Sequence, residues 1–434
     1  MDHVVIPAQA GIQCYPVRWG FRVKPGMTGG GIIQRPQLLL DCLRDDPADV
    51  KIRYLAALGP DEWQALLIAA KRHRVSPILY HTLNRAGLTA SAPPDVAEEL
   101  KKSYYANAQR NMLAYRQLEN IVRDLNKLNI PVILLKGAHL AKYVYGNIAL
   151  RVMADFDLLV RSEDISPACG VLINHGYRAP LDGLGISEMH APPFRNENHD
   201  KIELHFNIAD AELGKRFDIE EFWQRAEPLA MGDAAAFVLA PEDNMLHICI
   251  HSSIGHCFDN AMRALLDVRQ IVEHYGTTLD WDRLIHTARQ LRVTNALYFM
   301  LVSARNLLGL VLDDKTLAAL RPADEEMIPR AEALMFSRRG EMNIHISRLF
   351  GEKKLSAKLR HFFRRLLPAK ETMTYAGGAA HTPFFYTKAY SRRIKYLVTS
   401  YGWKVLRSTF KDKTLTTQIQ QTNEKNAVRD WLAS

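Results

Sequence analysis

Three short strand-like runs interrupt an otherwise helical chain, and they constrain the fold more than any other feature of its 434 residues. Residues 36–128 carry apolar side chains at helical spacing, as in Trp63, Leu66, Leu67 and Ala70. Residues 130–135 then read as a β-branched strand closed by a turn at Lys136 and Gly137, with a helix expected over 138–145. Residues 155–160, DFDLLV, predict a second strand, and Ser162, Glu163 and Asp164 start a helix running to about His175. Residues 201–208 alternate polar and apolar like a half-buried strand. After Pro241 the helical period returns through Leu246, Ile250, Leu265, Leu266, Val268 and Ile271, and continues to about Leu312. The pattern predicts an α+β chain: an α/β core with a small mixed sheet, flanked by predominantly helical N- and C-terminal domains.

The expected boundaries are an extension over 1–32, a helical region over 33–128, the core over 129–230, a helical domain over 231–345 and a basic extension over 346–434. Residues 1–32 have no period and are punctuated by Pro25, Gly26, Gly29, Gly30 and Gly31. They resemble translated bacterial repeat-element sequence, so disorder and a start near Met27 are expected. Pro7, Gln9, Gly11 and Gln13 break the apolar run that a secretory signal needs. A membrane helix needs about 18 to 20 apolar residues. The best stretch, 296–312, is broken by Arg305 and Asn306, so a buried helix is expected there and no stable membrane insertion. Cys14, Cys42, Cys169, Cys249 and Cys257 form no CxxC pair, which suits a reducing cytoplasm. The net charge of +9 points to an anionic partner. The basic segment 353–413, with Phe362, Phe363, Phe384, Phe385, Tyr386 and Trp403 interleaved, is the candidate surface for it.

The chemistry lies in the strands. Successive side chains of a strand point to opposite faces, so Asp155 and Asp157 are expected on one face, and Glu203 and His205 on one face of another strand. Phosphoryl transfer uses such carboxylates because Mg²⁺ takes hard oxygen ligands alongside substrate phosphates. Lys136 and Gly137 form a candidate phosphate cradle at a helix start, and Arg151 is placed to neutralise a triphosphate or pyrophosphate. Taken singly, each has a plain reading: a solvated strand face, a turn, a surface salt bridge. Order and spacing together favour a site. His247 and His251 at i, i+4, followed by His256, predict helix packing or polar lining, since no HExxH pattern is present. No GxSxG elbow, Walker loop or GxGxxG follows a strand.

LLKGAHLAKYVYG, RVMADFDLLV and IELHF, with PEDNMLHICIHSS and LLDVRQIV after them, resemble the uncharacterised bacterial nucleotidyltransferase family of the polymerase-β-like superfamily, over residues 38–312. The resemblance implies metal-binding and catalytic roles for Asp155, Asp157 and Glu203, with Mg²⁺ or Mn²⁺ as cofactor. It implies transfer of NMP from an NTP such as ATP to a hydroxyl of a small molecule, protein or RNA, with release of pyrophosphate. Lys136, Gly137, Arg151 and His205 are the expected nucleotide and phosphate contacts, and Asp157 or Glu203, or less readily His205, the base. The superfamily usually carries Gly-Ser or Gly-Gly where this chain has Lys136, Gly137 and Ala138, which removes side-chain help for the triphosphate. The alternative is a non-catalytic nucleotide- or RNA-binding protein on the same fold.

Overall fold

The computed structural model describes residues 36–44, 55–179, 189–198, 200–209, 211–258, 260–336 and 413–434, with a few single positions between 387 and 399. The expectations for 1–32 and for the basic segment 353–412 lie outside the described residues, apart from those single positions. The chain begins with four helices, α1 (Pro36–Leu43), α2 (Pro60–Arg72), α3 (Ser76–Arg85) and α4 (Pro94–Lys127). Pro60 opens α2, Glu62 turns back to accept from the Gly59 N–H at 3.2 Å, and Lys71 and Arg72 close it, so both ends suit the helix dipole. At 34 residues α4 runs the length of the fold's central part and buries Leu118, Ile121, Val122 and Leu125 at helical spacing.

Six strands form one mixed sheet in the order β3-β4-β2-β1-β6-β5. They are β1 (Ile133–Leu135), β2 (Phe156–Leu159), β3 (Phe194–Arg195), β4 (Lys201–His205), β5 (Glu227–Met231) and β6 (Ala234–Val238). β1 pairs antiparallel with β2 and parallel with β6, while β2 and β4 run parallel. Between β1 and β2 lie the short helix α5 (Lys136–His139) and a π-helical turn at Leu140–Val144; α6 (Ile165–Asn174) follows β2. α7 (Ala211–Gly214) and α8 (Ile219–Arg225) link β4 to the β5–β6 hairpin. The strands expected over 130–135, 155–160 and 201–208 are present in shorter form, at 133–135, 156–159 and 201–205, while β3, β5 and β6 had no sequence-based expectation. Gly232 makes the hairpin turn at φ +58, where an added Cβ would strike the Glu119 carboxylate.

The helices after β6 are α9 (Pro241–Ile250), α10 (Ala261–Tyr275), α11 (Trp281–Gln290), α12 (Thr294–Leu308), α13 (Asp314–Leu320) and α14 (Met327–Phe336); α15 (Lys413–Leu432) comes near the end. Leu39, Leu79 and Leu100 pack into the same apolar core as Leu246, Leu265, Phe299, Leu308, Val428 and Leu432. The early and late helices therefore share one interior. Ile133, Leu135 and Leu159 face that core, whereas Leu134, Phe156, Leu158 and Leu204 face a second one built with α4 and α6. Period-two alternation along β1 and β2 thus puts Asp157 on the sheet face that looks toward the helices after Pro241. Among the described residues, no helix is long and apolar enough to cross a membrane.

Candidate active site

The acids meet across parallel strands. Asp157 of β2 stands opposite Glu203 of β4, and Leu159 opposite His205, so Asp157, Glu203 and His205 share one face. His205 Nε2 lies 2.9 Å from Asp157 Oδ1 and 3.6 Å from Glu203 Oε2. Asp155 sits just before β2 rather than within it, with 29% of its side chain exposed against 4% for Asp157. Lys201 Nζ bridges Asp155 Oδ2 at 2.6 Å and Glu203 Oε1 at 2.8 Å, and Lys136 Nζ reaches Asp157 Oδ2 at 3.1 Å. Each acid of the cluster therefore has a cationic neighbour from the chain itself.

Burial would push these carboxyls toward the neutral form, but the neighbouring charges win. Desolvation raises Asp157, yet the Lys136 ammonium and the hydrogen bond from His205 hold it well below the ordinary carboxylate range. Glu203 meets the same burial penalty and is held at about 2 by the adjoining His205, with help from the charges of His190 and Lys201. Burial lowers His205, and its two carboxylate neighbours more than reverse that. Both acids are ionised at neutral pH, the state in which a carboxylate can ligate a cation.

Two supports hold the strand ends. Asn107, Asn111 and Tyr115 follow one another at i, i+4 and i+8 on α4, and all three are buried. Asn107 Nδ2 donates to the carbonyl oxygens of Ala149 at 2.7 Å and Arg151 at 3.2 Å; Asn111 Nδ2 donates to those of Ile148 at 2.6 Å and Arg151 at 3.0 Å. The Tyr115 hydroxyl donates to the carbonyl oxygens of Gly137 at 3.2 Å and Ala138 at 3.0 Å. One polar stripe thus fixes both the loop leading to Asp155 and the turn after β1. Lys136 takes a left-handed backbone, φ +46, a strained conformation for a residue with a Cβ, and that turn carries the ammonium to Asp157.

Arg151 and Gly137 stand behind the acid cluster and face one another. Arg151 is buried, and its Nε and Nη2 donate to the two oxygens of Asp267 on α10 at 2.8 Å each, so its fork is committed inside the protein. Gly137 lets that guanidinium approach: a Cβ on it would lie 2.6 Å from Arg151 Nη1 and 3.1 Å from Met153 Cγ. The bare Cα faces the arginine, and its smallness serves packing.

Imidazoles from the sheet side and from α9 with the turn after it gather near the acids. α9 is buried along its whole length, and a π-helical turn, His251–Gly255, follows it. The His247 and His251 rings lie 6.0 Å apart, those of His251 and His256 4.4 Å, and those of His190 and His205 5.1 Å. Burial first, then the Lys136 charge, lowers the pKa values of His247, His251 and His256, the last to about 4. The three rings are therefore held toward the neutral form.

Of the sequence-derived candidates, Asp155, Asp157, Glu203, Lys136 and His205 come together, while Gly137 and Arg151 lie behind them. Sequence reasoning missed Lys201, although it shares the face of Glu203 two residues on. It also missed the stripe of Asn107, Asn111 and Tyr115, whose signal was three polar-tipped residues on the buried face of an amphipathic helix. Asp267 carried no local signal. The donor set fits a divalent cation: one ligand atom each from Asp157, Glu203 and His205 lies within 4.8 Å of the others.

Ionised acids shared by two parallel strands, with a cationic turn at their edge, are suited to transferring a phosphate-linked group. Residues 59–309, more than half of the chain, match the family described as uncharacterised nucleotidyltransferase. The chain belongs to that family and is a transferase of the nucleotidyl class. No curated protein matches it.

Proposed function

We propose that the protein transfers NMP from an NTP to a hydroxyl of an acceptor in a reaction that depends on a divalent cation, Mg²⁺ or Mn²⁺, and releases pyrophosphate. The observation that carries this reading is the Asp157–Glu203 pair across parallel strands, ionised beside the Lys136 turn. Asp157 and Glu203 would hold the cation, and Asp155, the third acid of the resemblance, stands at the more exposed rim, on the side proposed for the triphosphate. A divalent ion bound there would neutralise charge developing on the α-phosphate and the departing pyrophosphate. With a cation on Asp157, the Lys136 ammonium would be available to a phosphate oxygen. The same holds for Lys201, beside Asp155 and Glu203. Gly137 and Arg151 keep the turn in place. A carboxylate of the cluster, Asp157 or Glu203, takes the proton of the acceptor hydroxyl.

The acceptor is a small molecule, a protein or an RNA, and the basic segment 353–413 is the surface proposed to meet an anionic one. A reducing cytoplasm is the proposed setting. The test is incubation with each α-³²P-labelled NTP, Mg²⁺ or Mn²⁺, and a cell lysate split into protein, RNA and small-molecule fractions. Label transferred by the wild type and lost in Asp155→Ala/Asp157→Ala supports the reading and names the acceptor class. A second reading, non-catalytic binding of nucleotide or RNA, draws on the internal neutralisation of the acids by Lys136 and Lys201. Nucleotide binding without transfer in any fraction would favour it.

A further inference from the structure

We propose that His205, in place of Asp155, completes the inner ligand set with Asp157 and Glu203, making a mixed nitrogen–oxygen centre that takes Mn²⁺ ahead of Mg²⁺. The inference rests on the reading above that this site holds a divalent ion, and it concerns which of the chain's own atoms hold it.

The register sets the geometry. Asp157 and Glu203 are direct cross-strand partners, and His205, two residues beyond Glu203, emerges on the same face. Among the described residues, Asp157, Glu203 and His205 are the group whose ligand atoms converge within 4.8 Å; Asp155 is not part of it. Asp155 lies before the strand begins and is turned to Lys201 at 2.6 Å. His205 has only 2% of its side chain exposed. Its Nε2 contacts the Asp157 carboxylate at 2.9 Å, and its Nδ1 is buried with no hydrogen-bond partner. Nε2 thus already stands beside both carboxylates, where it can exchange its proton for an ion they hold, the proton leaving to solvent.

Ligand chemistry then selects the ion. Mg²⁺ demands a near-ideal octahedron and keeps to oxygen ligands, whereas first-row transition ions accept an imidazole nitrogen, and among them Mn²⁺ is the one that shares Mg²⁺'s liking for carboxylate and water oxygens. Replacing one carboxylate ligand by an imidazole also removes a negative charge from the inner set, which weakens a purely electrostatic partner such as Mg²⁺ most.

The experiment is Mn²⁺ binding to the full-length protein, followed by electron paramagnetic resonance, with Mg²⁺ as competitor. The expected result is an electron-spin-echo signature of a directly bound nitrogen that changes when histidine is supplied as ¹⁵N. Mn²⁺ affinity should exceed that for Mg²⁺, and His205→Gln should remove the nitrogen signature and lower Mn²⁺ affinity by on the order of ten- to a hundredfold. Asp155→Asn should leave the nitrogen signature in place. The isotope comparison uses wild-type protein, so it decides the matter even if His205→Gln fails to fold. Bound Mn²⁺ without nitrogen coupling overturns the ligand assignment and leaves the metal-dependent reading standing. Absence of any Mn²⁺ or Mg²⁺ binding overturns both.

Discussion

Arg151 and Asp267 are joined by two hydrogen bonds of 2.8 Å across 116 residues of sequence, with both side chains buried. The pair ties the loop before the acids to α10, and the Tyr145 hydroxyl donates to the same carboxylate at 2.9 Å. Removing one partner of a buried ion pair strands the other. Asp267→Asn should therefore destabilise the protein by about 3–5 kcal/mol, read by urea denaturation. A change near zero would show that water reaches the arginine.

The stripe on α4 predicts a positioning effect. Asn111→Ala takes the side-chain donor from the Ile148 carbonyl oxygen and leaves that of Arg151 with Asn107 alone, and should cost about 1–3 kcal/mol in stability. Nucleotide transfer should fall with it, even though Asn111 lies outside the acid cluster. Thermal melts and a transfer assay on the same preparation separate the two effects.

The acids predict the reverse pattern. Asp155→Asn, at the more exposed rim, should leave the melting temperature nearly unchanged while transfer falls at least about a hundredfold. Full activity in a well-folded Asp155→Asn protein would remove this residue from the mechanism.

His139 predicts acid sensitivity. Burial, and then His274, pushes its pKa down to about 3. An unfolded histidine titrates near 6.5. Below that pH the unfolded chain binds a proton that the folded one excludes. The full stability is therefore present above about 6.5 and is lost as pH falls toward 3, at about 1.4 kcal/mol per pH unit. Between pH 6.5 and 5 the loss is about 2 kcal/mol, and His139→Gln should flatten that slope in denaturation curves taken at each pH.

Leu432 lies outside the matched residues 59–309, yet it is fully buried in the main core. Its neighbours secure the end of the chain: Arg216 Nη1 donates to the Ala433 carbonyl oxygen at 2.7 Å, and Asn295 Nδ2 to that of Trp431 at 2.9 Å. Leu432→Ala should cost about 2–5 kcal/mol by calorimetry. A smaller effect would mean that α15 is a dispensable attachment.

Local periodicity sufficed for β1, β2 and β4, because each is a short run whose alternation or β-branching differs from the helices around it. The β5–β6 hairpin escaped because EPLAM opens on a glutamate and a proline and AAAFV is alanine-rich, residues with weak strand preference and no clean alternation. Asp157 and Glu203 were legible as acids on strands, but which acid sits deeper depends on where β2 begins, a boundary the sequence leaves loose. Lys201 escaped because a lysine at a strand start usually reads as solvated. Arg151 looked like a phosphate contact because its partner, Asp267, is brought to it only by tertiary packing. The same reason hid the use of Gly137, whose missing side chain makes room for that arginine.

The shared interior of early and late helices also fixes a timetable for synthesis. Arg44 Nη1 donates to the Asn306 carbonyl oxygen, 262 residues away, and Arg269 Nη1 to that of Leu43, 226 residues away. At translation rates of about 5–20 residues per second, α1 emerges from the ribosome roughly 10 to 50 s before these partners exist. During that interval Leu39, Leu40 and Trp63 lack their later neighbours and present an adhesive apolar surface. Until its partners arrive that nascent surface is open to aggregation, a vulnerability that the finished fold no longer displays.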